Sequence, residues 1–215
     1  MNQRQYQNEL LDPSQVVVCI IDEQPQMFFG AQSNDRESVM NAAVALAKAA
    51  KVFNIPVILS TVAAQTFSGP LYSKLQEVFP DQKPIDRTSL NAWEDKNFRD
   101  AVTATGRKKI LIAGLWTEVC VTLPALSALA DGYDVYAVTD ASAGSSIQAH
   151  EMAVLRMTQA GVKPITWQAA LLEMQRDWAN KDTYKPVTQV VTEHGGAYGV
   201  GLEYAESMVP ANQQS

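Results

Sequence analysis

Val16-Val-Val-Cys-Ile-Ile21, closed at once by Asp22, is the longest strongly apolar run in the chain, and its reading decides the fold. A strand with one wet face alternates apolar and polar residues. Six apolar residues in succession fit a strand buried on both faces of a parallel sheet. Parallel strands need helices between them, and helical spacing follows: Val39, Ala43, Ala47 and Ala50, with Met40, Val44 and Phe53, form one apolar face over residues 36–54. Pro56-Val-Ile-Leu-Ser60 reads as a second strand. The alternation continues with a polar helix over 96–105, the strand Lys109-Ile-Leu-Ile-Ala113, a helix over 125–131 and a strand over 135–139. A helix over 148–159, the strand Pro164-Ile-Thr-Trp167 and a helix over 168–178 complete it. This βα order predicts a three-layer α/β/α sandwich around an open, mostly parallel sheet, as one domain over residues 1–180.

Two stretches break the pattern. Residues 62–93 are weakly periodic and carry Gly69, Pro70, Pro80 and Pro84, which predicts loops with short elements beyond a strand end, where α/β sheets bind ligands. Residues 181–215 contain His194-Gly-Gly-Ala-Tyr-Gly-Val-Gly201 and are expected to form an irregular C-terminal extension, a candidate oligomer contact.

Composition narrows the function. With 215 residues, 47% hydrophobic and 19% charged, the chain suits one globular core. Its 17 Lys and Arg against 23 Asp and Glu give a net charge of −6, which disfavours phosphate backbones and anionic lipid surfaces as partners. Two Cys and two His exclude a disulfide framework and a four-ligand Cys/His zinc site. GxGxxG and Walker patterns are absent, so no cofactor is expected, and two distant His suggest no metal. The polar start lacks the apolar stretch of a secretory signal, and no apolar run approaches membrane-spanning length; the expectation is a cytoplasmic protein.

The cysteines differ by position. Cys19 lies inside the first strand, where a thiol behaves as a small hydrophobe. Cys120 stands where the chain turns from the strand ending at Ala113 into a helix; unpaired N–H groups there would stabilise a thiolate or an oxyanion. Asp22 reads either as a loop carboxylate capping an amide or as a general base. Arg87 is an ordinary surface cation unless the fold brings it to Asp22 and Cys120. His150 and His194 lack an evident orienting group and read as structural.

Asp22 at the end of the first strand, a basic residue before Asn91-Ala-Trp93, and Gly114-Leu-Trp-Thr-Glu-Val-Cys-Val121 occur in an order that resembles the isochorismatase-like cysteine hydrolases. Pro124-Ala-Leu-Ser-Ala128 and Val138-Thr-Asp-Ala-Ser142 look closest to their YcaC-like branch. The resemblance implies a sheet of about six parallel strands and an Asp-Lys-Cys triad, carried onto Asp22, Arg87 and Cys120. It also implies a cis peptide at Leu115–Trp116 and an oxyanion hole from the Trp116 and Cys120 N–H groups. The family Lys position reads as Arg87, since Lys83 fits the motif less well; Arg keeps the electrostatic role and cannot relay a proton. Gln24, Phe28, Asn91 and Trp93 flank these motifs as candidate substrate contacts, each equally readable as packing. The metal-binding Asp and His of nicotinamidases are missing from Ser60-Thr-Val-Ala-Ala-Gln-Thr-Phe67. The implied activity is hydrolysis of a C–N bond in a small molecule through a Cys120 thioester, by a homo-oligomer. The alternatives are a non-catalytic or regulatory oligomer that retains the fold, and a vinyl-ether hydrolase with Asp22 as the acid.

Overall fold

A computed structural model describes residues 10–208; the polar N-terminal stretch, 1–9, and the end of the tail, 209–215, fall outside the described residues. The strands are β1 (Val16–Ile21), β2 (Val57–Val62), β3 (Ile85–Arg87), β4 (Lys109–Leu115), β5 (Asp134–Ala143) and β6 (Lys163–Ile165). They form one sheet in the order β3-β2-β1-β4-β5-β6, and every neighbouring pair is parallel. The helices are α1 (Pro25–Gly30), α2 (Arg36–Val52), α3 (Ser73–Val78), α4 (Lys96–Ala104), α5 (Thr122–Ala130), α6 (Ile147–Ala160), α7 (Trp167–Gln175), α8 (Lys181–His194) and α9 (Ala197–Met208).

Strand β1 is buried at all six positions, and its two faces feed two cores. Val16, Val18 and Ile20 pack with α2, α7 and α8; Val17, Cys19 and Ile21 pack with α1, α4, α5 and α6. Successive side chains of a strand point to opposite faces, so one continuous apolar run supplies both layers. Each fully buried aliphatic side chain contributes roughly 1.5–3 kcal/mol, which makes β1 the centre of the fold. Helix α2 starts where Asp35 accepts a hydrogen bond from the Ser38 N–H, and buries its alanine-rich face against the sheet.

Residues 62–93 hold short elements among loops, as expected, namely α3 and the strand β3, while the short helix α1 and the course of the C-terminal segment depart from the sequence reading. The extension expected to be irregular is helical over Lys181–His194 and Ala197–Met208. Val187, Val190 and Val191 of α8 are buried in the same core as α2 and α7, so the helical layer extends beyond residue 180. Among the described residues, no helix is long and apolar enough to cross a membrane.

Candidate active site

The strand order places a topological switch between β1 and β4: the chain leaves β1 toward β2 on one side and returns to β4 on the other. In open α/β sheets the crevice at the carboxyl ends of such strands is where ligands bind. Ile21 of β1 is in register with Gly114 of β4, so Asp22 leaves one strand beside the point where β4 runs on toward Cys120. Cys120 sits in Thr117–Val121, a turn of π-helix inserted between β4 and α5. Arg87 closes the edge strand β3.

These three residues converge. Arg87 Nη2 donates to Asp22 Oδ2 at 2.7 Å, and both side chains are completely shielded from solvent. Arg87 Nη1 also donates to the Ser89 carbonyl. Asp22 Oδ1 has no partner of ordinary hydrogen-bond geometry, while the Cys120 thiol lies close enough to the carboxyl to shift both groups. The Trp116 N–H is among the groups that draw the Cys120 thiol down. The Trp116 indole is fixed by a 2.9 Å bond from Nε1 to the Met27 carbonyl in α1, and the Leu115–Trp116 peptide is cis. Asp22 itself has φ of 60°, a left-handed conformation that non-glycine residues adopt at a cost and that functional sites retain. Lys83 is exposed, and Arg87 occupies the basic position of the cluster.

Burial raises the Asp22 carboxyl to about 6, against the opposing pull of the Arg87 charge and of the hydrogen bonds from Cys120 and Arg87. Burial pushes the Cys120 thiol up to about 12, reinforced by the Asp22 charge and only partly offset by Arg87 and the Trp116 N–H. This corrects the expectation of a thiolate stabilised at a helix N-terminus. In a dry cleft beside a carboxylate the proton stays on sulfur until a base removes it, and Asp22 titrates in the range that suits a base near neutral pH. Cys19 is buried in the core and is raised further by desolvation alone.

The candidate substrate contacts separate. Gln24 is fully buried; its amide donates to the Val62 and Gly69 carbonyls and accepts from the Val62 N–H, so it fixes the loop after β2 and has no polar group left for a ligand. Asn91 donates to Glu94 and Ser127 and accepts from the Trp93 N–H; the Trp93 indole N–H donates to Asp131. Both belong to packing against α5, where Trp93 meets Phe98 and Tyr133 edge-on. Phe28 is buried in α1 beside Met27, edge-on to Tyr72. His150 shares a 2.8 Å hydrogen bond with Thr117, and His194 one of 2.7 Å with Asn41. Among the described residues, no group of three His, Cys, Asp or Glu is arranged to hold a metal.

One buried carboxyl escaped the sequence reading. Glu23 is completely shielded, neither of its oxygens has a hydrogen-bond partner, and burial with the neighbouring Asp22 charge holds its carboxyl well above the usual range. The only signal was a second acid directly after Asp22 at the end of an apolar strand.

A protein-family model described as Isochorismatase domain matches residues 16–169. The chain is 40% identical over 171 residues to the probable hydrolase YcaC of Escherichia coli, covering 79% of this chain and 82% of that one. Among solved structures, YcaC from Pseudomonas aeruginosa, determined with hexane-2,5-diol and covalent acrylamide, superposes with a TM-score of 0.88 at 35% identity, over 92% of this chain and 98% of that one. The E. coli YcaC structure, described as an octameric hydrolase of unknown specificity, gives 0.88 at 36% identity over 92% and 97%.

Proposed function

From the premise that the chain belongs to the isochorismatase family, as a hydrolase of its YcaC-like branch, we propose that it cleaves a C–N bond of a small amide-type substrate through a thioester on Cys120. The observation that carries the reading is the meeting of Asp22 and Arg87, from two strand ends, with Cys120, from the turn after a third strand, in one solvent-shielded cluster at the switch of the sheet.

Asp22 takes the thiol proton as sulfur bonds to the substrate carbonyl carbon. The oxyanion is held by the Trp116 and Cys120 N–H groups; loss of one such donor typically costs about 100- to 1,000-fold in rate. Collapse breaks the C–N bond, and the leaving nitrogen takes the proton back from Asp22. Water then attacks the thioester, gives a proton to Asp22, and the departing sulfur recovers it. Arg87 orients Asp22 through all four transfers and favours its ionised form between them, without exchanging a proton itself. Phe28, next to the Met27 carbonyl that fixes Trp116, is the apolar side chain proposed to meet the substrate.

The covalent acrylamide in the P. aeruginosa relative supports a reactive nucleophile in this branch. The vinyl-ether reading draws on the same Asp22, whose carboxyl at about 6 retains its proton in mild acid. The two separate in a screen of small amides run beside Cys120→Ala, with mass spectrometry of the intact protein. An acyl adduct on Cys120 and loss of turnover in the variant support the thioester route. Undiminished turnover in Cys120→Ala refutes it.

The assembly proposed is a homo-oligomer. Helix α6 exposes Ile147, Met152 and Leu155, and α9 exposes Val200, Tyr204 and Met208 at successive four-residue intervals, apolar stripes suited to a second copy of the chain. The relative from E. coli is octameric. A 23.5 kDa particle by light scattering at micromolar concentration would overturn this.

A further inference from the structure

Cys120 is carried by an unusual piece of backbone. Residues Thr117–Val121 are wound as π-helix, and α5 continues from Thr122 in ordinary α-helical form. The π turn is rare and occurs mostly as single turns within α-helices, frequently at functional sites. An ordinary α-helical register through this segment would rotate Cys120 about the helix axis relative to its present position. Something outside the helix must hold it.

The hold comes from the β5–α6 connection. Glu118 Oε1 accepts two hydrogen bonds, from the Ser145 N–H at 3.0 Å and the Ser145 hydroxyl at 2.6 Å. The residue before it is tethered to the first turn of α6, with Thr117 Oγ1 and His150 Nδ1 2.8 Å apart. From within, the Thr122 hydroxyl donates to the Thr117 carbonyl at 2.6 Å. Glu118 Oε2 is buried without a partner, and a Cβ at Gly144 would lie 2.7 Å from it, so the bare glycine leaves room for the carboxylate. The connection is itself anchored. The Gly144 carbonyl accepts from the Gln32 and Ser33 N–H groups, and its N–H donates to the Ser33 hydroxyl. Residues 32 and 33 follow α1, which accepts the Trp116 indole N–H.

We infer that Glu118 is a positioning residue: its carboxylate, clamped by Ser145, holds the π turn open and so sets Cys120 against Asp22. A carboxylate that accepts two hydrogen bonds on one oxygen holds more firmly than a neutral acceptor. Displacement of a reacting atom by about 1 Å can cost on the order of 100-fold in rate.

The inference rests on Cys120 being the nucleophile, and its test separates the two. The purified full chain is treated with acrylamide at pH 7 and modification of Cys120 is followed by mass spectrometry, with Cys19 as internal reference and circular dichroism for the fold. Glu118→Ala is expected to slow Cys120 modification roughly 10- to 100-fold, and Glu118→Gln, which keeps an acceptor oxygen for Ser145, to recover to within about threefold of the parent. Ser145→Ala, which removes one of the two donors, falls between them and stands in if Glu118→Ala does not fold. Equal rates in parent, Glu118→Ala and Ser145→Ala would overturn the inference while leaving Cys120 as nucleophile. A parent chain in which Cys120 reacts no faster than Cys19 would overturn both.

Discussion

The pH dependence of Cys120 reactivity tests the Asp22–Cys120 relation most directly. If the thiol gives its proton to Asp22 at the moment of attack, the rate follows the ionised fraction of Asp22 and not that of the sulfur. With Asp22 at about 6, that fraction rises from about one-tenth at pH 5 to about nine-tenths at pH 7, a gain of roughly tenfold that then levels off. A cysteine that ionises on its own would instead gain about tenfold per pH unit up to its pKa, near 8.5 when unperturbed. The assay is modification of Cys120 by neutral acrylamide between pH 4.5 and 9, with Cys120→Ala as blank. An inflection near pH 6 followed by a plateau is expected. Asp22→Asn should lower the plateau about 100-fold or more, within the usual range for loss of a general base. A rate that climbs with unit slope through pH 8 and shows no inflection near 6 would refute the reasoning. The parent profile is the primary evidence, because Asp22→Asn also strands the buried Arg87 charge and costs about 3–5 kcal/mol of stability.

The remaining predictions concern the surroundings of that pair. Glu23 holds its proton more tightly in the folded chain than in the unfolded one, so folding stability falls as pH rises above its ordinary titration range; Glu23→Gln should raise the urea midpoint at pH 8, with the gain shrinking toward pH 4. Arg87→Ala removes the main group drawing Asp22 down, so the inflection in Cys120 modification should move to higher pH and stability fall by about 3–5 kcal/mol, whereas Arg87→Lys should leave the inflection near its parent position. A Cβ at residue 30 would stand 2.3 Å from the Trp116 ring, so Gly30→Ala should cost about 1–3 kcal/mol in thermal unfolding and slow Cys120 modification by displacing the indole from the Met27 carbonyl.

How far the sequence carried depended on how much each segment depends on its neighbours. Val16–Ile21 was readable because burial on both faces leaves an unbroken apolar run, and Asp22 and Cys120 because each follows a strand that could be recognised. Strand β3 has three residues after Pro84, too few for any period to register, and it joins the sheet only through β2. That is why Arg87 could not be placed without the resemblance. Helix α8 was hidden by Pro186 within a polar surround. Helix α9 was hidden by its glycines, which read as loop; Gly199 instead lets α9 cross α8 closely, since a Cβ there would meet the Val191 carbonyl at 2.6 Å. Gln24, Asn91 and Trp93 flank the right motifs, but neighbours on other elements decide whether a side chain faces a cleft or a helix. The π turn and its Glu118 clamp have no sequence period at all, because they exist only through Ser145 and His150 more than 25 residues away.

The Asp22–Arg87 pair also has a mechanical role. Arg87 lies on β3, two strands from β1, a span of about 10 Å at the usual inter-strand spacing, so the pair works as a cross-tie over the end of β2. The outermost strand contributes only three register positions to the ladder, and this charge pair adds a further hold on its end. Acid that protonates Asp22 loosens the tie before it touches the interior strands. Protection factors at residues 85–87, taken relative to the intrinsic exchange rate, which itself slows in acid, should therefore fall below pH 6 while those of β1 and β4 hold, fraying the sheet from the side that supplies the site with its cation.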